Sequence, residues 1–261
     1  MRSGSAAPAL VVQLYTEDKR DAAHECSTLE EVVLGMFLQL CPDLKTNHIE
    51  RKPVHASPER RVSGSYWKVT GGAADPGAQA KRITLIQDIV TALRRGHVVI
   101  FHVDGDDRWL ADGKHAAVWR HLERLQRDLE RFVFEPSVGH APLSRKVELR
   151  HVFIPAVPFY SMESWAYANS KLLREILTDP GDLEFIDRWE ADPTRRDNEV
   201  QIKTTTLGIQ DSLNETLVKR SRGFPAAALI ELDMSYAATV RRIEASPVIT
   251  QGLAAAAARP Y

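Results

Sequence analysis

The stretch VVIFHVDGDD, residues 98 to 107, runs from apolar residues into three carboxylates, Asp104, Asp106 and Asp107. Acids crowded in this way repel one another, and a cation or a shared proton relieves the repulsion. Hard oxygen ligands suit Mg2+ or Mn2+, ions that keep several waters and bind phosphate as well. A metal held there can activate water, stabilise a leaving oxygen and neutralise charge on a phosphodiester. A solvated turn is the competing reading. Such a turn needs only Asn-Gly or Asp-Gly and gives no reason for the further acids.

Positioning these residues is the task of the surrounding elements. HVVIFHVD is uninterrupted in hydrophobicity, the pattern of a parallel strand covered on both faces. Earlier, ALVVQLYTEDKRD reads as a strand that ends in an acidic turn at Glu17 and Asp18. STLEEVVLGMFLQL follows with helical spacing and an N-cap at Ser27 or Thr28. HIERKPV reads as a short strand, and residues 56 to 78, rich in Ser, Gly, Ala and Pro, as a long loop. A helix over 79–95 is closed by Gly96, and a second spans 114–131 with Trp119, Leu122, Leu125 and Leu129 inward. ELRHVFIPAVPF supplies a further strand. After it come the helices SMESWAYANSKLLREIL and DLEFIDRWE, then mostly helical sequence up to a low-complexity tail, AAAAARPY.

Strands alternating with helices imply an α/β fold with a parallel sheet and right-handed crossovers. We place this core at residues 1–160 and a helical extension packed on it at 161–261. In a parallel sheet the carboxyl ends of all strands share one edge, where ligands bind. If the first strand neighbours the VVIFHVD strand, Glu17 joins Asp104, Asp106 and Asp107 as candidate metal ligands. Glu17 also reads as part of a charged surface turn, with Asp21 as a helix cap.

Composition narrows the function classes. The 261 residues are 44% hydrophobic and 26% charged, those of a globular chain with a sizeable core. No apolar run reaches the length of a membrane span. The opening MRSGSAAPALVVQLY lacks a convincing cleavage site and reads as a lead into the first strand. Two cysteines, Cys26 and Cys41, without CxxC spacing argue against a disulfide scaffold or structural zinc and for the cytoplasm. The nine histidines form no HExxH or HxH pair and read as surface or core residues. A net charge of −1 gives no global basic footprint. Local clusters at Arg195-Arg196 and Lys219-Arg220-Arg222 read either as solvated faces or as contacts to a phosphate backbone.

A Glu after the first strand and a hydrophobic strand ending in DxD resemble the TOPRIM fold of topoisomerases, primases, recombination proteins and OLD-type nucleases, over residues 9 to 160. VPFYSMESWAYAN resembles the E-x-W helix start of a TOPRIM-related family of uncharacterised function associated with bacterial defence. IKTTTLGIQDSLNETLVKR and AALIELDMSYAATVRRIEASP resemble that family's helical end. The resemblance implies a metal and catalytic site of Glu17, Asp104, Asp106 and Glu163. TEDKRD stands where many TOPRIM proteins carry EGxxD, and Ala245-Ser246-Pro247 stands where the family has a small residue and Ser-Phe. Lys203 is the candidate for a phosphate or a developing oxyanion, and also reads as a solvated Lys beside a Thr run.

These readings converge on a Mg2+- or Mn2+-dependent phosphodiester hydrolase, a TOPRIM-type nuclease. DNA is the expected substrate ahead of RNA, and Lys203, Lys219, Arg220 and Arg222 its expected contacts. The near-zero charge leaves room for a companion subunit, as in an anti-phage effector, and an oligomer stays open. Two other classes compete. A degenerate TOPRIM scaffold would bind a partner subunit or nucleic acid without cutting. A nucleotide-sugar glycosyltransferase would use DxD and Mn2+ to hold a diphosphate, with Glu17 far from Asp104. A haloacid-dehalogenase phosphatase, with Asp104 as nucleophile, would want its motif near the N-terminus.

Overall fold

Four strands form one parallel sheet in a computed structural model that describes residues 7–17, 28–53, 62, 67–68, 75–105, 116–135, 141–144, 146–158, 162–191 and 211–259. The strands are β1 (Leu10–Thr16), β2 (Ile49–Pro53), β3 (Val98–His102) and β4 (Phe153–Ala156), in the spatial order β2-β1-β3-β4. Helix α1 (Thr28–Leu40) links β1 to β2, α2 (Pro76–Arg94) precedes β3, and α3 (Ala116–Val133) precedes β4. The order therefore reverses between β1 and β3. The chain first steps outward from β1 to β2, then crosses back and continues the other way. Right-handed connections then require α1 on one face and α2 and α3 on the other.

The two cores show this division. Leu10, Val12, Leu14, Val98, Ile100, Ile154 and Ala156 face a cluster with α1 residues Val32, Val33, Met36 and Phe37. Tyr15, Val99, Phe101, Val103 and Phe153 face the other way, against Leu85, Ile89 and Leu93 of α2 and Leu122, Leu125 and Leu129 of α3. Every residue of β3 is buried, because helices cover both of its faces. The inward positions expected for α3 are all buried.

After β4 the described elements are helices: α4 (Glu163–Ala166), α5 (Ser170–Ile176), α6 (Pro180–Ala191), α7 (Asp211–Val218), α8 (Ala226–Leu232), α9 (Met234–Glu244) and α10 (Pro247–Ala258). These helices complete the α1 face of the sheet. Trp165, Tyr167, Leu217, Tyr236, Val240, Ile249 and Leu253 belong to one cluster with Val12 and Ile100.

Four local expectations are corrected. Helix α2 begins at Pro76 rather than residue 79, because Asp75 caps it through Ala78 N (3.0 Å) and Pro76 fills the first turn. Its end is as expected: Arg95 is the C-cap, and Gly96 follows at φ 78 in the left-handed region. The segment ELRHVFIPAVPF is extended only over Phe153–Ala156, since Leu149–His151 form a 3-10 turn. SMESWAYANSKLLREIL is two helices, broken where the buried Asn169 amide donates to Leu217 O (2.8 Å) and Arg222 O (3.3 Å). The alanine-rich tail is no loose end. Alanine is the best helix former, and α10 runs to Ala258, with Gly252 set against Leu10 of β1.

Each outer strand carries a proline in the phase that points away from the sheet. Ala9 N donates to His48 O (2.8 Å), so even-numbered residues of β2 bond to β1 and Pro53 faces out. Val99 N donates to Val152 O (2.7 Å) and Val103 N to Ala156 O (3.2 Å), which leaves Pro155 facing out on β4.

Candidate functional site

Strands β1 and β3 end together. Their register pairs Thr16 with His102, and one residue further the Glu17 amide donates to the His102 carbonyl (3.1 Å). Glu17 thus leaves β1 directly beside Val103, and Asp104 is the next residue. This is the reversal point of the strand order, where an open α/β sheet has its binding crevice beyond the carboxyl ends.

The side chains here form a chain of polar contacts. Thr16 Oγ1 and His102 Nδ1 lie 2.8 Å apart, and His102 Nε2 lies 3.5 Å from Asp104 Oδ1. The His102 ring is fully buried, while the Asp104 side chain is 21% exposed. Alternation along the strand explains why His102 and Asp104 share one face, two residues apart. The imidazole is held from behind by Thr16 and presents its other nitrogen toward the carboxylate. Glu17 is half-buried, with Oε2 shielded from solvent. Just behind this edge, Tyr15 on the opposite face of β1 donates to Asp88 of α2 (2.9 Å).

The candidate residues fall into separate groups. Glu17 and Asp104 are brought to one edge from positions far apart in sequence. Asp106, Asp107 and Lys203 lie outside the described residues. Glu163 opens α4, the first helix after β4, and only its backbone is described. Lys219, Arg220 and Arg222 lie together on a 3-10 turn closed by Gly223 at φ 79, with both arginines exposed. Lys219 O accepts from Arg222 N (2.9 Å), and Arg222 O accepts from Asn169. The basic turn is thereby fixed to the start of α5.

Among the described residues no three His, Cys, Asp or Glu side chains form a metal-holding group. The described donors at the β1/β3 edge are two carboxylates, a hydroxyl and an imidazole. That chemistry fits a hard divalent ion bound through one or two carboxylates and completed by water. His102 was read from sequence as an ordinary core or surface histidine. Its position at the last residue of a buried strand, two before Asp104, was the available signal.

Comparison with protein-family models, with curated proteins and with solved structures finds no match for this chain.

Proposed function

We propose that the protein is a Mg2+- or Mn2+-dependent phosphodiester hydrolase of TOPRIM type, working on nucleic acid at the carboxyl edge of β1 and β3. The supporting observation is the Glu17 N to His102 O bond, which sets Glu17 beside Asp104 at the reversal point of a parallel sheet. A nucleotide-sugar transferase would have no reason to bring Glu17 to the DxD strand. When bound, the metal supplies water activation and charge neutralisation on the phosphodiester. Glu17 and Asp104 would hold it, and Asp106, Asp107 and Glu163 are the further carboxylates that the sequence offers for the same role. His102, set by Thr16, brings its Nε2 to 3.5 Å from Asp104 Oδ1 and would orient that carboxylate when protonated. Lys203 and the Lys219–Arg222 turn contact the nucleic-acid backbone, and an accompanying defence-system subunit supplies the grip that a net charge of −1 does not.

The test is cleavage of plasmid, linear and single-stranded DNA and of RNA with Mg2+ or Mn2+, beside Asp104→Ala, with Mn2+ binding followed by electron paramagnetic resonance. Metal-dependent cutting and Mn2+ binding that both vanish in Asp104→Ala are expected. Equal Mn2+ binding by the two proteins, or none by either, overturns the proposal.

A further inference from the structure

A second site lies along the open edge of β4, where a half-open cavity of about 440 Å3 lies between α3 and α9. Trp119 and Gln126 of α3, Phe153 and Pro155 of β4, His151 of the turn before it and Arg242 of α9 line it, with Arg150 at its rim. The size is that of a small-ligand pocket. The lining holds two arginines and a histidine but no carboxylate.

Arg242 is the unusual residue. Its guanidinium lies over the Trp119 ring, 4.5 Å from the centroid. Nη1 is buried, and among the described residues no hydrogen bond or ion pair reaches it. Burial, with the charge of neighbouring Arg241, lowers the group to about 10. Trp119 faces the cation, but a buried guanidinium N–H without an acceptor is costly, and proteins ordinarily pair it. The other arginine differs: Arg150 is largely exposed and pairs with Glu148 at 2.6 Å. Position is not the consequence of slack packing either. The turn between α9 and α10 is pinned to the 3-10 turn before β4 by Ser246 Oγ, which donates to His151 O at 2.5 Å.

We propose that this cavity binds a small organic anion, with Arg242 as its counter-ion. A guanidinium presents a planar fork that matches the two oxygens of a carboxylate or phosphate. Trp119, Phe153 and Pro155 offer the apolar wall for a planar body, and Gln126 an amide for polar atoms on it. The ligand class is thus a phosphate or carboxylate head on an aromatic or heterocyclic body. The site shares no residue with the β1/β3 edge, and the inference does not rest on the hydrolase proposal.

The experiment is isothermal titration of the full chain with adenosine 5′-monophosphate, benzoate and inorganic phosphate, beside Arg242→Met and Gln126→Glu. Methionine keeps the length and apolar stem of the arginine and removes its charge. Binding of adenosine monophosphate or benzoate that weakens at least tenfold in Arg242→Met is expected, and which of the two binds assigns the head group. Gln126→Glu places a carboxylate in the lining, and the same tenfold loss is expected there if Arg242→Met does not fold. Affinities within twofold across the three proteins overturn the proposal. So does an absence of binding by both organic anions, including the case in which inorganic phosphate alone binds.

Discussion

Asp233 carries its carboxyl in a place where charge is expensive. It is buried at the start of α9, and its Oδ1 accepts from Ser235 N (2.8 Å), Tyr236 N (2.9 Å) and the Ser235 hydroxyl. That hydroxyl in turn accepts from Trp165 Nε1 (2.8 Å), which ties α4 to α9. Burial pushes the carboxyl up from 3.8 to about 6, against the hydrogen bonds that pull it down. An acid raised in the folded state holds its proton more tightly there than in the unfolded chain. Between those two pH values the folded protein carries more protons, so stability falls as pH rises through the window and is level above it. The change is on the order of 3 kcal/mol. Asp233→Asn keeps the acceptor oxygen and is expected to flatten the profile, as read by urea unfolding across the same pH range. An unchanged slope refutes the assignment. If Glu17 and Asp104 hold Mn2+ as proposed, His102→Leu is expected to weaken that binding about 10–100-fold, the usual cost of losing an outer-shell partner. Equal affinity in the two proteins would remove His102 from the site. Glu17 and Asp104 were legible because each ends an apolar run. Thr16 and His102 were not, because strand pairing joins them across 86 positions.

Helix packing against the sheet sets opposite outcomes for one substitution. A Cβ at Gly252 of α10 would lie 3.1 Å from both Leu10 Cβ and Cδ1, tighter than nearly all such contacts, so that Leu10 has to give by a few tenths of an ångström. At Gly35 of α1 the nearest atom, on Phe224, is 3.4 Å away, an ordinary contact. Alanine gains about 1 kcal/mol over glycine inside a helix, while overpacking costs about 1–3 kcal/mol. Gly252→Ala is therefore expected to lose up to about 2 kcal/mol and Gly35→Ala to gain up to about 1 kcal/mol. Denaturant midpoints at constant slope would measure both, and a gain at Gly252 would contradict the close approach to β1. The order of strands and helices was legible from periodicity, since apolar spacing changes between 2 and 3.6 residues as the elements change. The break at Asn169 was not, because its cause is a bond to Leu217, 48 positions away. Nor was the role of the alanine tail, whose partner is the first strand.

Over the whole molecule, one core runs from Leu10 to Ala256 through both the strands and the late helices. The change of sequence character near residue 160 marks where the described strands stop. It says nothing of where the late helices pack, because that depends on how much of its own sheet face α1 leaves uncovered. A shared core predicts shared fate: tryptophan fluorescence, near-ultraviolet and far-ultraviolet circular dichroism are expected to report a single coincident unfolding transition. Two separated transitions would show that α4–α10 melt apart from the sheet. No described helix is long and apolar enough to cross a membrane. The outward prolines at Pro53 and Pro155 bear on how such a molecule lives at high concentration. A sheet margin grows by accepting a foreign strand, and each new strand needs donors as well as acceptors to bond with. At both margins here one donor is missing where an incoming strand would look for it. The sheet is thus poorly templated for fibrous growth and for swapping of edge strands between copies.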